Sequence, residues 1–241
     1  MSPVAAGLHW PLGSNPSIAI VVPLFNERKA LPATIARMSA TGADELVFVD
    51  GGSTDNSHSL LKESAVQWIT SEAGRAVQMN AGAAVCQSDV LLFVHADTVI
   101  DGSHLQAVRK AMESDSFVGG RFDVALSGDH PAFRMIAWFM NTRSRLSRIS
   151  TGDQCQFVRR SLFESMGGFP ALPLMEDIAL SKSLKREGRI ACLREQVMTS
   201  SRRWEQNGIL KTVLLMWKLR LLYWLGKPAS ELAAMYRSTA R

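Results

Sequence analysis

Residues 18–24, Ile-Ala-Ile-Val-Val-Pro-Leu, form a continuous apolar run rich in β-branched side chains. Such a run suits a short strand buried on both faces, and Pro23 is expected to end it. Leu31, Ile35 and Met38 then recur at helical spacing within residues 28–38, and Glu45–Asp50 makes a second strand. The three segments read as a β-α-β unit, for which a right-handed crossover is the rule. A helix is expected over Ser57–Glu63 and a strand over Val66–Thr70. A helix of small residues follows over Gly74–Ala84, and a fourth strand over Asp89–His95. The first hundred residues thus alternate α and β, the pattern of a parallel sheet covered by helices.

Beyond residue 100 the pattern loosens. Val118–Leu126 reads as an antiparallel-type strand, and Pro131–Ser147 as a helix carrying Phe133, Ile136, Ala137, Met140 and Thr142. Strands are expected over Gly152–Arg159 and Ile190–Val197, around a helix of residues 176–187. The segment Ile209–Leu225 differs from an ordinary amphipathic helix, because Lys211, Lys218 and Arg220 interrupt it on nearly opposite faces. A spanning helix needs about 20 predominantly apolar residues, so three interior cations argue against a crossing. Two readings stay open: burial against the domain or a partner, or a helix lying on a membrane surface with its Lys and Arg heads snorkelling to water.

The 241 residues, 46% of them hydrophobic, suffice for one large domain or two small ones and exclude intrinsic disorder. Net charge is +5 but unevenly placed: residues 1–142 hold 9 basic and 14 acidic side chains, residues 143–241 hold 18 and 8. The second part therefore suits an anionic neighbour. Nucleic acid is a poor fit, since the aromatic residues are not interleaved with the basic ones and no zinc-finger or helix-turn-helix pattern appears. Cys86, Cys155 and Cys192 are odd in number and far apart, as expected in a reducing compartment. Residues 1–17, rich in Pro, Gly and Ser without a basic start or long apolar core, read as a loose leader and not a secretion signal. The expected location is the cytoplasm, with the inner face of the membrane left open.

Carboxylates punctuate the chain where strands give way to loops: Glu27 after the first strand, Asp50 and Asp55 around the second loop, Asp97 after the fourth, and Glu176-Asp177 at a helix start. In an open α/β sheet ligands bind beyond the carboxyl ends of the strands, so these groups are expected to converge on one crevice. Asp50 and Asp55 flank the Gly51-Gly52 turn, where backbone can approach a ligand closely and a carboxylate can accept from a base N–H or a ribose hydroxyl. Asp55 or Thr54 can equally cap the next helix. Arg75, at the mouth of the small-residue helix, suits either a diphosphate clamp or a surface ion pair. His95 and Asp97 fall on one side of an extended segment and can face one ion, while a structural hydrogen bond is the other reading of His95.

Taken together, Val-Val-Pro-Leu-Phe-Asn-Glu (21–27), Val-Asp-Gly-Gly-Ser-Thr-Asp (49–55), Gly-Arg-Ala-x-Gln-x-Asn-x-Gly (74–82), His-Ala-Asp (95–97), Glu-Asp (176–177) and Arg-Arg-Trp (202–204) resemble the catalytic domain of a family 2 glycosyltransferase. The resemblance is to the short, stand-alone bacterial members with a His-Ala-Asp variant of the Asp-x-Asp signature. It implies a GT-A fold, a mainly parallel central sheet flanked by helices with hydrophobic C-terminal helices. The domain would span 18–204, with a nucleotide-binding half (18–100) and an acceptor half (101–204), followed by a helical region over 205–241. It implies transfer of a sugar from a nucleotide-diphosphate donor, with Pro23, Asn26, Glu27, Asp50, Asp55, Arg75, Asp97 and Arg203 on the donor and Asp153, Gln154 and Trp204 on the acceptor. By the same resemblance Asp177 is the catalytic base, supported by Glu176, and Asp97 with His95 holds a divalent cation, manganese or magnesium. Imidazole suits manganese-like ions whereas magnesium prefers oxygen, so His95 in this place leaves the metal open.

The expected acceptor is a small molecule or a lipid-linked one, with peripheral membrane contact through the C-terminal helix and self-association both open. Asp153 can bind an acceptor hydroxyl or merely hold its loop. Trp204 can wall the acceptor pocket or pack in the core. Two other classes share parts of the pattern. A sugar-phosphate nucleotidyltransferase would need a glycine-rich phosphate loop after the first strand, where this chain has Leu24-Phe25-Asn26-Glu27. A non-catalytic nucleotide-binding or membrane- or partner-binding scaffold would show no turnover.

Overall fold

The computed structural model describes residues 15–238, so most of the expected leader, 1–14, and residues 239–241 lie outside the described residues. In chain order the elements are β1 (Ile18–Leu24), α1 (Leu31–Ser39), β2 (Glu45–Asp50), α2 (Ser57–Glu63), β3 (Gln67–Thr70), α3 (Arg75–Ala84), β4 (Val90–Phe93), α4 (Gly102–Met112), β5 (Gly119–Leu126), α5 (Pro131–Ser147), a 3-10 turn (Gly152–Gln154), β6 (Phe157–Arg159), α6 (Arg160–Ser165), α7 (Glu176–Glu187), β7 (Ile190–Thr199), α8 (Arg202–Asn207), α9 (Ile209–Trp224) and α10 (Ala229–Ser238).

The strands form a seven-stranded sheet in the order β3-β2-β1-β4-β6-β5-β7. Only β6 runs against its neighbours, pairing antiparallel with both β4 and β5. The sheet is therefore mostly parallel, as expected. β5 is antiparallel to β6 but parallel to β7, so its expected antiparallel character holds on one side alone. Alternate residues of β1 feed two cores. Ile18, Ile20, Val22 and Leu24 pack with Leu31, Phe48 and Leu105 on one face, and Ala19 and Val21 pack with Met79, Phe163 and Leu184 on the other. Burial on both faces is why β1 reads as a continuous apolar run.

Two local expectations need correction. β1 runs through Pro23 to Leu24, because its pairing with β4 stops at Val21 while that with β2 continues to Leu24, so the missing proline N–H faces a side without a ladder. The expected strand over Gly152–Arg159 survives only as Phe157–Arg159. The Gly152 N–H is committed to the Asp177 carboxylate at 2.8 Å and Gln154 to Ser144 at 2.9 Å, which bends the first half into a 3-10 turn. Asp55 caps α2 as expected, accepting from Ser57 N at 3.1 Å across a left-handed Asn56.

A third, smaller core joins Met175 and Ile178 at the start of α7 to Leu219 of α9 and Leu232 of α10. One face of α9 is therefore buried on the domain. Its opposite face, Leu210, Leu214, Trp217, Leu221 and Trp224, is exposed. No helix among the described residues is long and apolar enough to cross a membrane.

Candidate active site

The carboxyl ends of β1, β4, β5 and β7 open on a cavity of about 730 Å³, closed on the far side by α8 and α10. Gln78 of α3 holds its floor in place: its amide donates to Leu24 O at 2.8 Å and Val49 O at 2.9 Å, tying the ends of β1 and β2 together. Gly51 lets that amide approach, since a Cβ there would stand 2.9 Å from Gln78 Cδ. Asn80, two residues further along α3, brackets Phe169 with two hydrogen bonds of 2.8 Å and so anchors the Gly167-Gly168 loop that leads to α7.

Pro23, Glu27, Arg75, His95, Asp97, Asp153, Glu176, Arg203 and Trp204 all line this cavity. Of the other five expected site residues, Asp177 lines a second cavity and four line neither. Asn26, left-handed at φ 56, stitches two loops together by accepting from Thr54 N at 2.8 Å and donating its own N–H to Ser53 Oγ at 2.9 Å. Asp50 is buried, accepting from the Ser53 hydroxyl at 2.6 Å and N–H at 3.0 Å, with His58 3.5 Å away. Asp55 accepts from Arg28 N at 2.9 Å and from the Ser57 hydroxyl at 2.5 Å. Gln154 is fully buried and its amide is spent on Ser144. These four build the walls, and their polar atoms are consumed by backbone and hydroxyl partners.

The lining groups are arranged as charge pairs. Glu27 lies 3.7 Å from Arg202; burial pushes its carboxyl above the usual range against the pull of that guanidinium, and nearby Asp97 and Asp55 push the same way. Arg75 lies 3.6 Å from Glu176, whose carboxyl is raised by burial first and by adjacent Asp177 second. Asp153 lies 3.6 Å from His95 Nδ1. Protein surrounds Asp153 even though its side chain wets the cavity, and burial alone would raise it. His95, Arg75 and Arg220 together outweigh that and hold it below the usual range. Arg203 stacks on Tyr236, 3.7 Å from the ring centroid, and donates to its hydroxyl.

His95 is tightly confined. Its Nε2 is buried without a hydrogen-bond partner, and a Cβ on Gly152 would stand 2.5 Å from that atom. Among the described residues no group of three or more His, Cys, Asp and Glu could by itself hold a metal ion. Asp97 and His95 both line the cavity, with His95 Nδ1 turned toward Asp153.

Asp177 lies outside this cavity and lines a second one of about 510 Å³ between α5 and α9. Its carboxylate accepts from Gly152 N at 2.8 Å and Ile178 N at 2.7 Å, which fixes its position at the start of α7. Met175, immediately before α7, is left-handed at φ 69, a strained conformation for a side chain of that kind. Arg75, Asp153, Glu176 and Trp204 line both cavities, so the two chambers meet at these residues. Sequence reasoning missed Arg143, Arg220 and Tyr236 as lining residues; each lies on a helix far along the chain from the motifs, with no local pattern to mark it.

A mostly parallel sheet with a crevice at its carboxyl edge defines a GT-A fold, and solved structures agree. The structure of S. aureus TarS 1-349 in complex with UDP-GlcNAc superposes with a TM-score of 0.58 at 17% identity, covering 76% of this chain and 58% of that one. The mannosyltransferase PcManGT from Pyrobaculum calidifontis in complex with GDP-Man and Mn2+ also gives 0.58 at 17% identity, covering 79% and 60%. Residues 19–167 match the family described as glycosyl transferase family 2, and the chain belongs to that family. The undecaprenyl-phosphate 4-deoxy-4-formamido-L-arabinose transferase of Serratia proteamaculans is 26% identical over 165 residues, 63% of this chain and 46% of the relative. The chain thus spans about half the length of that curated relative.

Proposed function

We propose that this protein transfers a sugar from a nucleotide-diphosphate donor to an acceptor hydroxyl with inversion at the anomeric carbon. The observation that carries the reading is the junction of two chambers: one with Asp97, Arg202 and Arg203 at its rim, the other with Asp177, joined at Arg75, Asp153, Glu176 and Trp204. The first is large enough for a nucleotide diphosphate and its sugar, and Arg75, Arg202, Arg203 and Arg237 in its lining can meet the diphosphate. TarS and PcManGT, solved with UDP-GlcNAc and with GDP-Man and Mn2+, support a nucleotide-sugar donor and a divalent cation.

In this mechanism Asp177 takes the proton of the acceptor hydroxyl while its oxygen attacks the anomeric carbon from the second chamber. The two backbone N–H groups on Asp177 hold its carboxylate toward the chamber junction. Arg75, braced by Glu176, orients the sugar–diphosphate bond, and Arg203 neutralises the leaving diphosphate. A cation shared by Asp97 and His95 with the diphosphate would add positive charge on the leaving side. Trp204 walls the junction on the acceptor side with Asp153. Asp177→Asn is expected to lower kcat by about 10²–10⁴-fold while the dissociation constant for the nucleotide stays unchanged. Turnover at the wild-type rate by that variant would remove Asp177 as the base.

The acceptor is proposed to be lipid-linked and the protein to work at the inner face of the membrane. The undecaprenyl-phosphate transferase named among its relatives supports this, as does the exposed stripe of α9 with Lys211 and Lys218 beside it. Co-sedimentation with anionic vesicles tests the contact; Trp217→Ser with Leu221→Ser should reduce it several-fold without changing nucleotide binding.

A further inference from the structure

The second chamber is built from two unlike parts. Its walls are apolar, with Ile136, Phe139 and Met140 from α5 facing Val213, Met216 and Trp217 from α9. Its inner end holds three arginines, Arg75, Arg143 and Arg220, beside Asp153, Glu176 and Asp177. Arg75 has Glu176 3.6 Å away. The other two have no such partner: among the described residues, neither Arg143 nor Arg220 has a carboxylate oxygen within 4.0 Å. Arg143 donates one weak hydrogen bond to Ile149 O at 3.3 Å, while its Nε and Nη2 are buried with no hydrogen-bond partner.

Burying a guanidinium beside a second one, with two nitrogens unsatisfied, is unfavourable unless something else supplies acceptors. Burial first and Arg220 second pull Arg143 down to about 10, so it is still cationic at neutral pH. Two forks of N–H donors offer more hydrogen bonds than one carboxylate can accept, and match the several oxygens of a phosphate. The apolar walls run outward from this point to residues exposed at the surface, among them Met135, Phe139 and Trp217. A ligand seated on the arginines would leave the chamber along greasy walls onto an exposed greasy surface.

We propose that Arg143 and Arg220 form a binding site for a phosphate carried on an aliphatic chain, with the phosphate at the arginines and the chain lying between α5 and α9. This rests on the glycosyl-transfer reading only in taking the ligand as the acceptor; the binding itself does not. An acceptor held in this way, with a hydroxylated head group esterified to the other side of its phosphate, would present a hydroxyl of that head group to Asp177 at the chamber junction.

The test uses the full chain and reads the fluorescence of Trp204 and Trp217, which line this chamber. It is titrated with dodecyl phosphate below its micelle concentration, and with inorganic phosphate and dodecanol as the two halves of the ligand. Dodecyl phosphate should bind at least tenfold more tightly than either half. Arg143→Gln with Arg220→Gln should weaken dodecyl phosphate at least tenfold and leave dodecanol unchanged; Arg220→Gln alone, at a partly buried position, should weaken it several-fold if the double variant does not fold. Equal binding of dodecanol, or undiminished binding of dodecyl phosphate to the glutamine variants, would overturn the arginine site. Equal binding of inorganic phosphate would overturn the chain-binding groove. Stabilisation by nucleotides, measured on the same samples, reports on the donor chamber separately, so failure here and failure of the transferase reading are told apart.

Discussion

Gly152 is the residue at which one added methyl group should be felt most in the site. A Cβ there would stand 2.5 Å from His95 Nε2 and 2.6 Å from Cε1, closer than real contacts allow, and the imidazole is confined on its other side by Asp153. Gly152→Ala must therefore move His95, and with it Asp153 and the N–H that holds Asp177. Overpacking of this kind costs about 1–3 kcal/mol of stability. A displacement of about 1 Å in a positioning group can cost about 10²-fold in rate. The expected variant is folded, with transfer down by about that factor. A variant with wild-type kcat/KM would show that His95 and Asp153 do not position reacting groups. Gly82, by contrast, has its Cβ position 2.4 Å from Val21 Cγ1, far from the chambers, so Gly82→Ala should lower the melting temperature and leave nucleotide affinity alone.

Among the elements, α4 has an ordinary helical period in Leu105, Val108 and Met112 but an unusual cap. Asp101 accepts from Ser103 N at 2.9 Å, and His104 Nδ1 lies 2.8 Å from Asp101 Oδ1 and 3.2 Å from Asp101 N, a cap that uses His where Glu or Gln is usual. The Ser103 hydroxyl first and His104 second hold Asp101 down at about 2, below the ordinary 3.8. Capping by this carboxylate is thus fully present above pH 3.8 and is lost as pH falls through 2. Asp101→Ala should cost about 1 kcal/mol at pH 7, and the gap between the two proteins in urea unfolding should close toward pH 2. A gap independent of pH would mean that the carboxylate does not cap the helix. Elements with a clean period were legible in sequence, with the bounds of β2, α2, α5 and α7 read as observed. α4 was not read despite its period, and the turn at Gly152–Gln154 was not read because a carboxylate 25 residues away decides it. The same holds for the site. Residues one step past a strand were legible. The commitment of Asp50 and Asp55 to hydroxyls, and the arrival of Arg143, Arg220 and Tyr236 from distant helices, are products of packing.

At the scale of the whole molecule, the sheet supplies the rigid part and the C-terminal helices complete the cavities. β1, β2 and β4 are buried on both faces, whereas α8 has no buried residue and α9 buries only Thr212 and Leu219. The donor chamber is lined from both parts, with Pro23, Asp97 and Arg75 from the sheet side and Arg203, Thr212 and Tyr236 from the helices. A ligand that bridges them should therefore stabilise the fold as a whole as well as fill the site. Binding only the folded state at 100 times the dissociation constant contributes about 2.7 kcal/mol, which for a chain of this size raises Tm by roughly 5–10 °C. UDP and GDP, each with and without manganese or magnesium, are the ligands to compare. One nucleotide should give a shift of that size with metal and a smaller one without it, because Asp97 and the diphosphate would otherwise meet as like charges. Asp97→Ala should then shrink the metal-dependent part and spare the rest. A shift that is the same with and without metal would remove the cation from the mechanism and leave Arg202 and Arg203 to neutralise the diphosphate alone. No shift with either nucleotide would remove the donor chamber itself.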